Sequence, residues 1–393
     1  MRIAMIHRDL SVPPRAGAHL HTTKLAAELQ RRGHHVEYFC FVLDQNEELP
    51  FPVHQVAPAP ESEGEAWIED SKLMRNLQRY WATSAGDLLG MHRAIERARC
   101  DLVIGSGIHG LLYLRLAKRE LRIWYPADDL FSTAMTLLSF SNTLRRNWAI
   151  FGEGARSLLI QRWCRDVPDE TWMVAQRDMR SMRRLLGRPV VWLPNGVDLE
   201  FFRPLETPLT PHSAVFWGRL DFDPNEQALE FFLGKVWPLV RARQPEARLV
   251  VMGFAPSEKV VRLTENAPGV ELRSNVPDIR PVVCSAPVAI FPFVSGTGVK
   301  NKLLEGAAMG RALLVSPMAT DGLRGADPAP WRLCKKPEQW RDALLELWRD
   351  PRAAAELGAR ARRWVENNHS WEATGALAEE SFERARARRE ERP

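Results

Sequence analysis

Apolar segments of strand length, each followed by a loop and an amphipathic helix, recur along this chain. That rhythm constrains the fold more than any composition value. Residues 2–7 (RIAMIH) form a short apolar run, and the loop SVPPRAGAH follows. In HLHTTKLAAELQRRGH, Leu20, Leu25, Ala26 and Leu29 fall at helical spacing, Gly33 stops the helix, and VEYFCFVL is the next strand. The unit recurs as DLVIGSG (101–107), GLLYLRLAKR and LRIWYP (121–126), while ETWMVA (170–175) and PVVWLP (189–194) add two further strands. Strands that alternate with helices require crossover connections, and therefore a parallel α/β sheet.

Residues 204–213, PLETPLTPHS, hold three prolines and no periodicity, as expected of a linker. The rhythm then restarts with AVFWGRL, NEQALEFFLGKVWPLVRAR, ARLVVMG, VELRSN, PVAIFPF, VKNKLLEGAAMG and ALLVSP. The expected architecture is α/β, with two Rossmann-like domains, 1–205 and 206–368, facing a cleft. A mostly helical stretch closes the chain, with Ser370 placed to cap the last helix.

Composition removes several classes. Glycine (24) and proline (28) in 393 residues are too few for a low-complexity chain, and no apolar run has the length of a membrane-spanning helix. The opening MRIAMIHRDL is broken by His7, Arg8 and Asp9, unlike a signal peptide, so a cytoplasmic location is expected. Five scattered cysteines without a CxxC pair suggest reduced thiols, neither a disulfide framework nor a zinc site. A net charge of +5 permits contact with anionic membranes, nucleic acid or phosphorylated metabolites and selects none of them.

Ligands of open parallel sheets bind beyond the carboxyl ends of the strands, so the loops there hold the candidate chemistry. In VSGTGVKNKLLEGAAMG (294–310), Gly296 and Gly298 allow close backbone approach, a helix start follows, and Lys300 and Lys302 add positive charge. Glu305 either accepts the two hydroxyls of a ribose or only complements the helix dipole. Arg219, directly after a strand ending at Gly218, either meets a diphosphate or pairs with Asp221 or Asp223 on the surface. The turn in PNGVDLEFFRP (194–204) ends a strand. In the first half, Gly17 stands at a helix start, His109 follows DLVIGSG, and Asp128 and Asp129 follow LRIWYP, positions that suit either a ligand or a helix cap.

Taken together, AGAHLHTTKLAAELQRRGHHV, PNGVDLEFFRP, GTGVKNKLLEGAAMGRALLVSP and ARRWVENNHSWEATGALAEESFE resemble, in order, the signatures of the retaining, nucleotide-sugar-dependent glycosyltransferases of family 4. The donor loop is similar to the GTxxK-type subset acting in polysaccharide and exported-glycan assembly. The resemblance implies the GT-B fold, with residues 1–205 binding acceptor, 206–368 binding donor, and the helix in 369–393 crossing back to the N-terminal domain. It implies that Glu305 is the second glutamate of the E-x7-E motif and holds the ribose, and that Arg219 binds the diphosphate together with Lys302 and Lys300. Gly17 matches one glycine of the N-terminal pair, here Ala16-Gly17. Gly218, Gly296, Gly298, Val299 and Leu303 complete the donor loops, and Asp128 lies in the loop near the reacting sugar, with Asp129 and His109 on the acceptor side. The chain departs from the family at the first motif glutamate, where Thr297 stands, and in the DFDPN turn beyond Arg219.

The chemistry so implied is sugar transfer with retention by front-face attack, the leaving diphosphate being stabilised by Arg219, Lys302 and helix N-termini without a metal or other cofactor. No DxD-type acidic pair stands in a donor loop. The acceptor is a glycan, a lipid-linked molecule or a small molecule. Residues 143–165 interleave Arg145, Arg146, Arg156, Arg162 and Arg165 with Trp148, Phe151, Leu158, Leu159, Ile160 and Trp163, and Arg75, Arg79, Tyr80 and Trp81 lie similarly. These stretches either rest on an anionic membrane or pack on the sheet with arginines outward. A sugar-nucleotide epimerase on the same fold and a non-catalytic nucleotide- or sugar-binding protein are the competing readings. No nucleic-acid motif with interleaved aromatics is present, so no nucleic-acid partner is expected.

Overall fold

The computed structural model describes residues 1–14, 17–64, 72–81, 83–126, 144–296, 298–320, 322–323 and 328–390. The chain divides into two compact units, one comprising Met1–Pro194 and Thr374–Pro393, the other Asn195–Ala373.

In the first unit the strands are β1 (Arg2–Ile6), β2 (Asp9–Val12), β3 (His35–Cys40), β4 (Val42–Gln45), β5 (Val53–Gln55), β6 (Leu102–Ser106), β7 (Leu121–Tyr125), β8 (Glu170–Met173) and β9 (Val191–Trp192). Seven of them form one sheet in the order β5-β3-β1-β6-β7-β8-β9, every pairing parallel, and β2 pairs with β4 apart from it. The inner strands are apolar on both faces because helices cover both sides: Ile3 to Ile6 and Leu102 to Ile104 are fully buried. Strand order reverses between β1 and β6, so the chain leaves these strands in opposite directions and opens a crevice at their carboxyl ends.

The second unit repeats the plan with β10 (Ser213–Arg219), β11 (Arg248–Phe254), β12 (Val270–Ser274), β13 (Val288–Phe291), β14 (Ala312–Val315) and β15 (Arg332–Leu333), ordered β12-β11-β10-β13-β14-β15 and parallel throughout. Its reversal lies between β10 and β13. Both halves thus have the α/β architecture expected from the rhythm of the sequence. The stretch NEQALEFFLGKVWPLVRAR departs from one regular helix: a π-helical turn, Phe232–Val236, separates Asp223–Phe231 from Trp237–Arg243.

The division falls at Pro194, ahead of the proline-rich segment, because the chain is clipped into the second unit as soon as PVVWLP ends. The Val197 amide donates to the His369 carbonyl at 2.7 Å, and Val197 bridges Ser370. His369 is buried, with Nδ1 2.9 Å from the Asn195 carbonyl. Gly196 is required here, since a Cβ would lie 2.6 Å from the Trp371 ring. Ser370 caps the final helix, its hydroxyl accepting from the Ala373 amide at 3.1 Å.

That helix, Trp371–Glu390, enters the first unit at Thr374. Glu379 accepts from Arg32 at 2.5 Å and meets His34 at 2.9 Å. The Trp172 indole donates to Ser381 at 2.8 Å while stacking on Phe382, and Arg388 pairs with Glu170. The last helix is therefore an integral part of the N-terminal unit, as the resemblance implies.

Tryptophan is abundant, 14 residues, and the structure assigns work to several. Trp124, Trp172, Trp237 and Trp340 are among the largest fully buried side chains. The indoles of Trp124, Trp237 and Trp348 each donate to a backbone carbonyl within 2.9 Å, which lets these large rings fill the core without a buried, unpaired N–H.

At the ends of β10 and β11, Gly218 and Gly253 face one another in register. A Cβ on Gly253 would overlap the Gly218 carbonyl oxygen. Gly253→Ala should lower stability by on the order of 1–3 kcal/mol through overpacking, read as a lower urea midpoint with an unchanged m-value. An unchanged midpoint would show that the strand ends part without cost.

Candidate functional site

The best-formed polar cluster of the second unit lies at the strand-order reversal, where β10 and the loop after β13 end. It begins with Gly218, whose φ of +151° already favours glycine. A Cβ there would overlap the Lys302 ammonium. Glycine therefore lets this amine reach the end of β10. Lys302 Nζ donates to Asn225 Oδ1 at 2.7 Å, and Asn225 Nδ2 donates to the Arg219 carbonyl at 2.6 Å, tying helix Asp223–Phe231 to the strand end. The ammonium lies 5.4 Å from the Phe216 ring centroid and 5.3 Å from that of Phe293, within cation–π range.

These surroundings shift its proton equilibrium. Burial pushes Lys302 down from 10.5 to about 7, Glu305 opposes the shift, and Lys300 adds to it. The folded chain therefore holds fewer protons than the unfolded chain between about 7 and 10.5, and this residue's contribution to stability grows as pH rises through that window.

Glu305 stands one turn beyond Lys302 on helix Asn301–Ala308. Its Oε2 accepts from Trp217 Nε1 at 2.7 Å. Burial raises the Glu305 pKa above the ordinary carboxylate value, while the Trp217 bond and the Lys302 charge act against that. The Trp217 ring packs edge-on to Phe291 at 5.2 Å, and Gly306 clears space for it, since a Cβ would lie 3.1 Å from the indole. The outcome is a carboxylate held in a fixed orientation one helical turn from a buried amine.

Around this pair, Gly296 and Gly298 have φ of +102° and +70°, so the loop makes the tight turn for which glycine suits. A Cβ on Gly296 would lie 3.0 Å from Lys300 Nζ, which itself lies 5.5 Å from the Phe293 centroid. Lys300 is the residue preceding the helix. Val299 is half-buried and packs against the core, and Leu303 is fully buried in it, so Leu303 directs its side chain inward. Arg219 is exposed and paired with Asp221 at 2.7 and 3.2 Å, the surface salt bridge named above as one of its two readings. Thr297 lies outside the described residues.

In the first unit, Gly17 opens helix Gly17–Arg31, with nothing within 4 Å of where its Cβ would stand. His109 lies in helix Gly107–Leu114, just past β6. Its Nε2 is 2.7 Å from the Trp81 carbonyl, and burial lowers its pKa to about 4, so the ring is neutral and donates through Nε2. Asp128 and Asp129 lie outside the described residues. Sequence reasoning missed Trp217 and Asn225. Trp217 stands within the strand AVFWGRL and Asn225 within the DFDPN turn; only their contacts with Glu305 and Lys302 distinguish them.

Residues 211–350, which contain this cluster, match the family described as Glycosyl transferases group 1. None of the curated proteins compared matches the chain. Among solved structures, sucrose-phosphate synthase from Thermosynechococcus elongatus is similar, with a TM-score of 0.69 at 14% identity over 98% of this chain and 99% of that one. Anabaena HepE in complex with UDP and glucose has a TM-score of 0.68 at 11% identity, over 98% and 99%. WaaG, a glycosyltransferase involved in lipopolysaccharide biosynthesis, has a TM-score of 0.57 at 15% identity, over 96% and 98%. The chain thus shares the GT-B fold of these structures along nearly its whole length, and its second unit matches a group 1 glycosyl transferase domain.

Proposed function

We propose that this chain is a retaining, metal-independent glycosyltransferase, of family 4 by resemblance, that moves a sugar from a nucleoside diphosphate sugar to an acceptor hydroxyl. The observation that carries the reading is the Trp217–Glu305 and Lys302–Asn225 arrangement at the strand-order reversal of the domain matched by group 1 glycosyl transferases. The HepE structures with UDP, with UDP and glucose, and with UDP-glucose support a donor of this class on this fold.

The roles follow from the chemistry. A carboxylate offers about four lone-pair sites, and the indole uses one, so Glu305 can still accept both hydroxyls of a ribose. Lys302 sits where the charge of a departing diphosphate develops. A preorganised donor in partly dry surroundings costs little reorganisation at the moment of reaction. Lys300, Gly296, Thr297, Gly298, Val299 and the backbone at Leu303 line the diphosphate, and Arg219 reaches it by exchanging Asp221 for phosphate. Residues 206–368 bind the donor and 1–205 the acceptor, with Gly17 nearest the phosphates and His109, Asp128 and Asp129 near the acceptor. A glycan or lipid-linked acceptor suits the helix Leu144–Trp163, on which Trp148, Phe151 and Leu159 are exposed, and Arg156 stacks on the Tyr80 ring at 4.4 Å. Such a surface fits peripheral contact with an anionic membrane at the cytoplasmic face, in polysaccharide or glycoconjugate assembly. Among the described residues no helix is long and apolar enough to cross a membrane.

Three measurements test this reading. Glu305→Ala should weaken nucleoside diphosphate binding by roughly ten- to a hundredfold, from the about 1.5–3 kcal/mol of charge-assisted hydrogen bonds. The same change should leave a 2′,3′-dideoxy nucleotide almost unaffected, as calorimetry with both ligands would show. Equal losses for the two would make Glu305 a structural helix residue.

The second measurement concerns pH. Only the protonated Lys302 attracts a diphosphate, and its pKa in the free chain is about 7. Affinity for nucleoside diphosphate should fall as pH rises from about 7, and the fall should vanish in Lys302→Met. A parallel fall in both proteins would place the titrating group elsewhere.

Third, transfer should continue in excess chelator. Complete loss, restored by Mg²⁺ or Mn²⁺, would overturn the metal-independent chemistry.

A further inference from the structure

The strand-order reversal of the first unit holds a second cluster, made of residues the transfer chemistry does not use. His7 follows the carboxyl end of β1, Asp9 opens β2, and His19 lies in the first turn of helix Gly17–Arg31. Asp9 carries a carboxylate between the two imidazoles: Oδ1 is 3.4 Å from His7 Nδ1, and Oδ2 is 3.3 Å from His19 Nε2. One ligand atom from each residue lies within 4.8 Å of the others, and the two rings meet edge to face at 4.9 Å. The pairing of β2 with β4, Asp9 opposite Val42, fixes the carboxylate's place.

We infer that His7, Asp9 and His19 form a binding site for one divalent transition metal of the zinc type. Three features carry the inference. The first is ligand chemistry. Two imidazoles and one carboxylate are a ligand set that suits zinc and similar borderline cations rather than calcium or magnesium. The second is spacing. Bonds of about 2.0–2.1 Å at a tetrahedral centre separate neighbouring ligand atoms by about 3.3–3.4 Å, and each imidazole nitrogen has this separation from one of the two Asp9 oxygens.

The third is hydrogen bonding. The Asp9 amide donates to His7 Nδ1 at 3.2 Å, so that nitrogen is in the unprotonated form a metal ligand needs, and binding exchanges the amide for the metal. On the other imidazole, His19 Nδ1 lies 2.9 Å from the buried Ser11 hydroxyl, the outer hydrogen bond that orients a ligating histidine and leaves Nε2 for the metal. The Asp9 side chain is half exposed, so the fourth position of the metal opens to water.

The metal is given no step in sugar transfer. Chelator-resistant transfer and zinc binding are therefore compatible, and each is tested without the other.

The test is calorimetric titration of the full chain with Zn²⁺ after dialysis against chelator, with Co²⁺ as a spectroscopic probe of four-coordinate geometry. The wild type should take up about one equivalent and show the intense visible bands of tetrahedral cobalt. Ser11→Ala should weaken zinc binding by about 10–100-fold. The double variant His7→Ala, Asp9→Asn should lose the site, and saturating zinc should raise the unfolding temperature of the wild type but not of the double variant. The far-ultraviolet dichroism of each variant verifies its fold. Asp9→Asn alone, an isosteric change at an exposed position, keeps the test open if the double variant unfolds: it too should weaken zinc binding at least about tenfold, from loss of an anionic ligand. No uptake by the wild type, or equal zinc affinity in wild type and the Asp9→Asn variant, would overturn the inference and leave the cluster a proton-bridged histidine–carboxylate pair.

Discussion

The approach of the Lys302 amine to the end of β10 is the contact on which the candidate site depends. It needs Gly218 without a side chain, Gly253 equally bare beside it, and Asn225 to take the ammonium's hydrogen bond. Two of these partners end adjacent strands and the third lies in the helix that follows β10. A change at any of them alters both the packing of the strand ends and the protonation of the amine, because burial by those same walls lowers the Lys302 pKa. Glu305 depends on the same core through Trp217, whose neighbour on β10 is Gly218 itself. Packing and charge placement are therefore one problem at this point of the fold.

Much of the architecture was legible from the strand–helix rhythm, since parallel strands buried on both faces must be continuously apolar and their crossovers must be helical. The boundary was less so. The proline-rich stretch at 204–213 marks itself by composition, while the division of the compact units at Pro194 follows contacts such as that of Val197 with His369, residues far apart in sequence whose meeting no local pattern announces. The π-helical turn at Phe232–Val236 was hidden although it holds Gly234 and precedes Pro238, because a glycine or proline in a helical stretch does not by itself specify a π turn.

At the site, Lys302, Glu305 and the glycines stood out because they combine charge and turn chemistry within one short loop. Trp217 and Asn225 did not, since a tryptophan in an apolar strand and an asparagine beside Asp223-Pro224 have ordinary structural explanations. The cysteines pointed away from a zinc site, and the histidine–aspartate cluster escaped notice because its third member arrives from a helix ten residues beyond Asp9. Tertiary folding created both groupings. Arg219 shows the reverse: its position at a strand end signalled phosphate, while its nearest anion, Asp221, was already two residues away.

The last helix belongs to the first unit, and this has a consequence for how the protein is made. The second unit, Asn195–Ala373, is one continuous stretch inserted within the other. During synthesis it has all its residues once Ala373 has left the ribosome, and can close its core while still tethered. The first unit, although translated first, waits with the face of its sheet near Trp172 uncovered until Ser381 and Phe382 emerge. Maturation therefore runs against the order of translation: the later segment is finished first, and the earlier one is sealed by the helix that follows it.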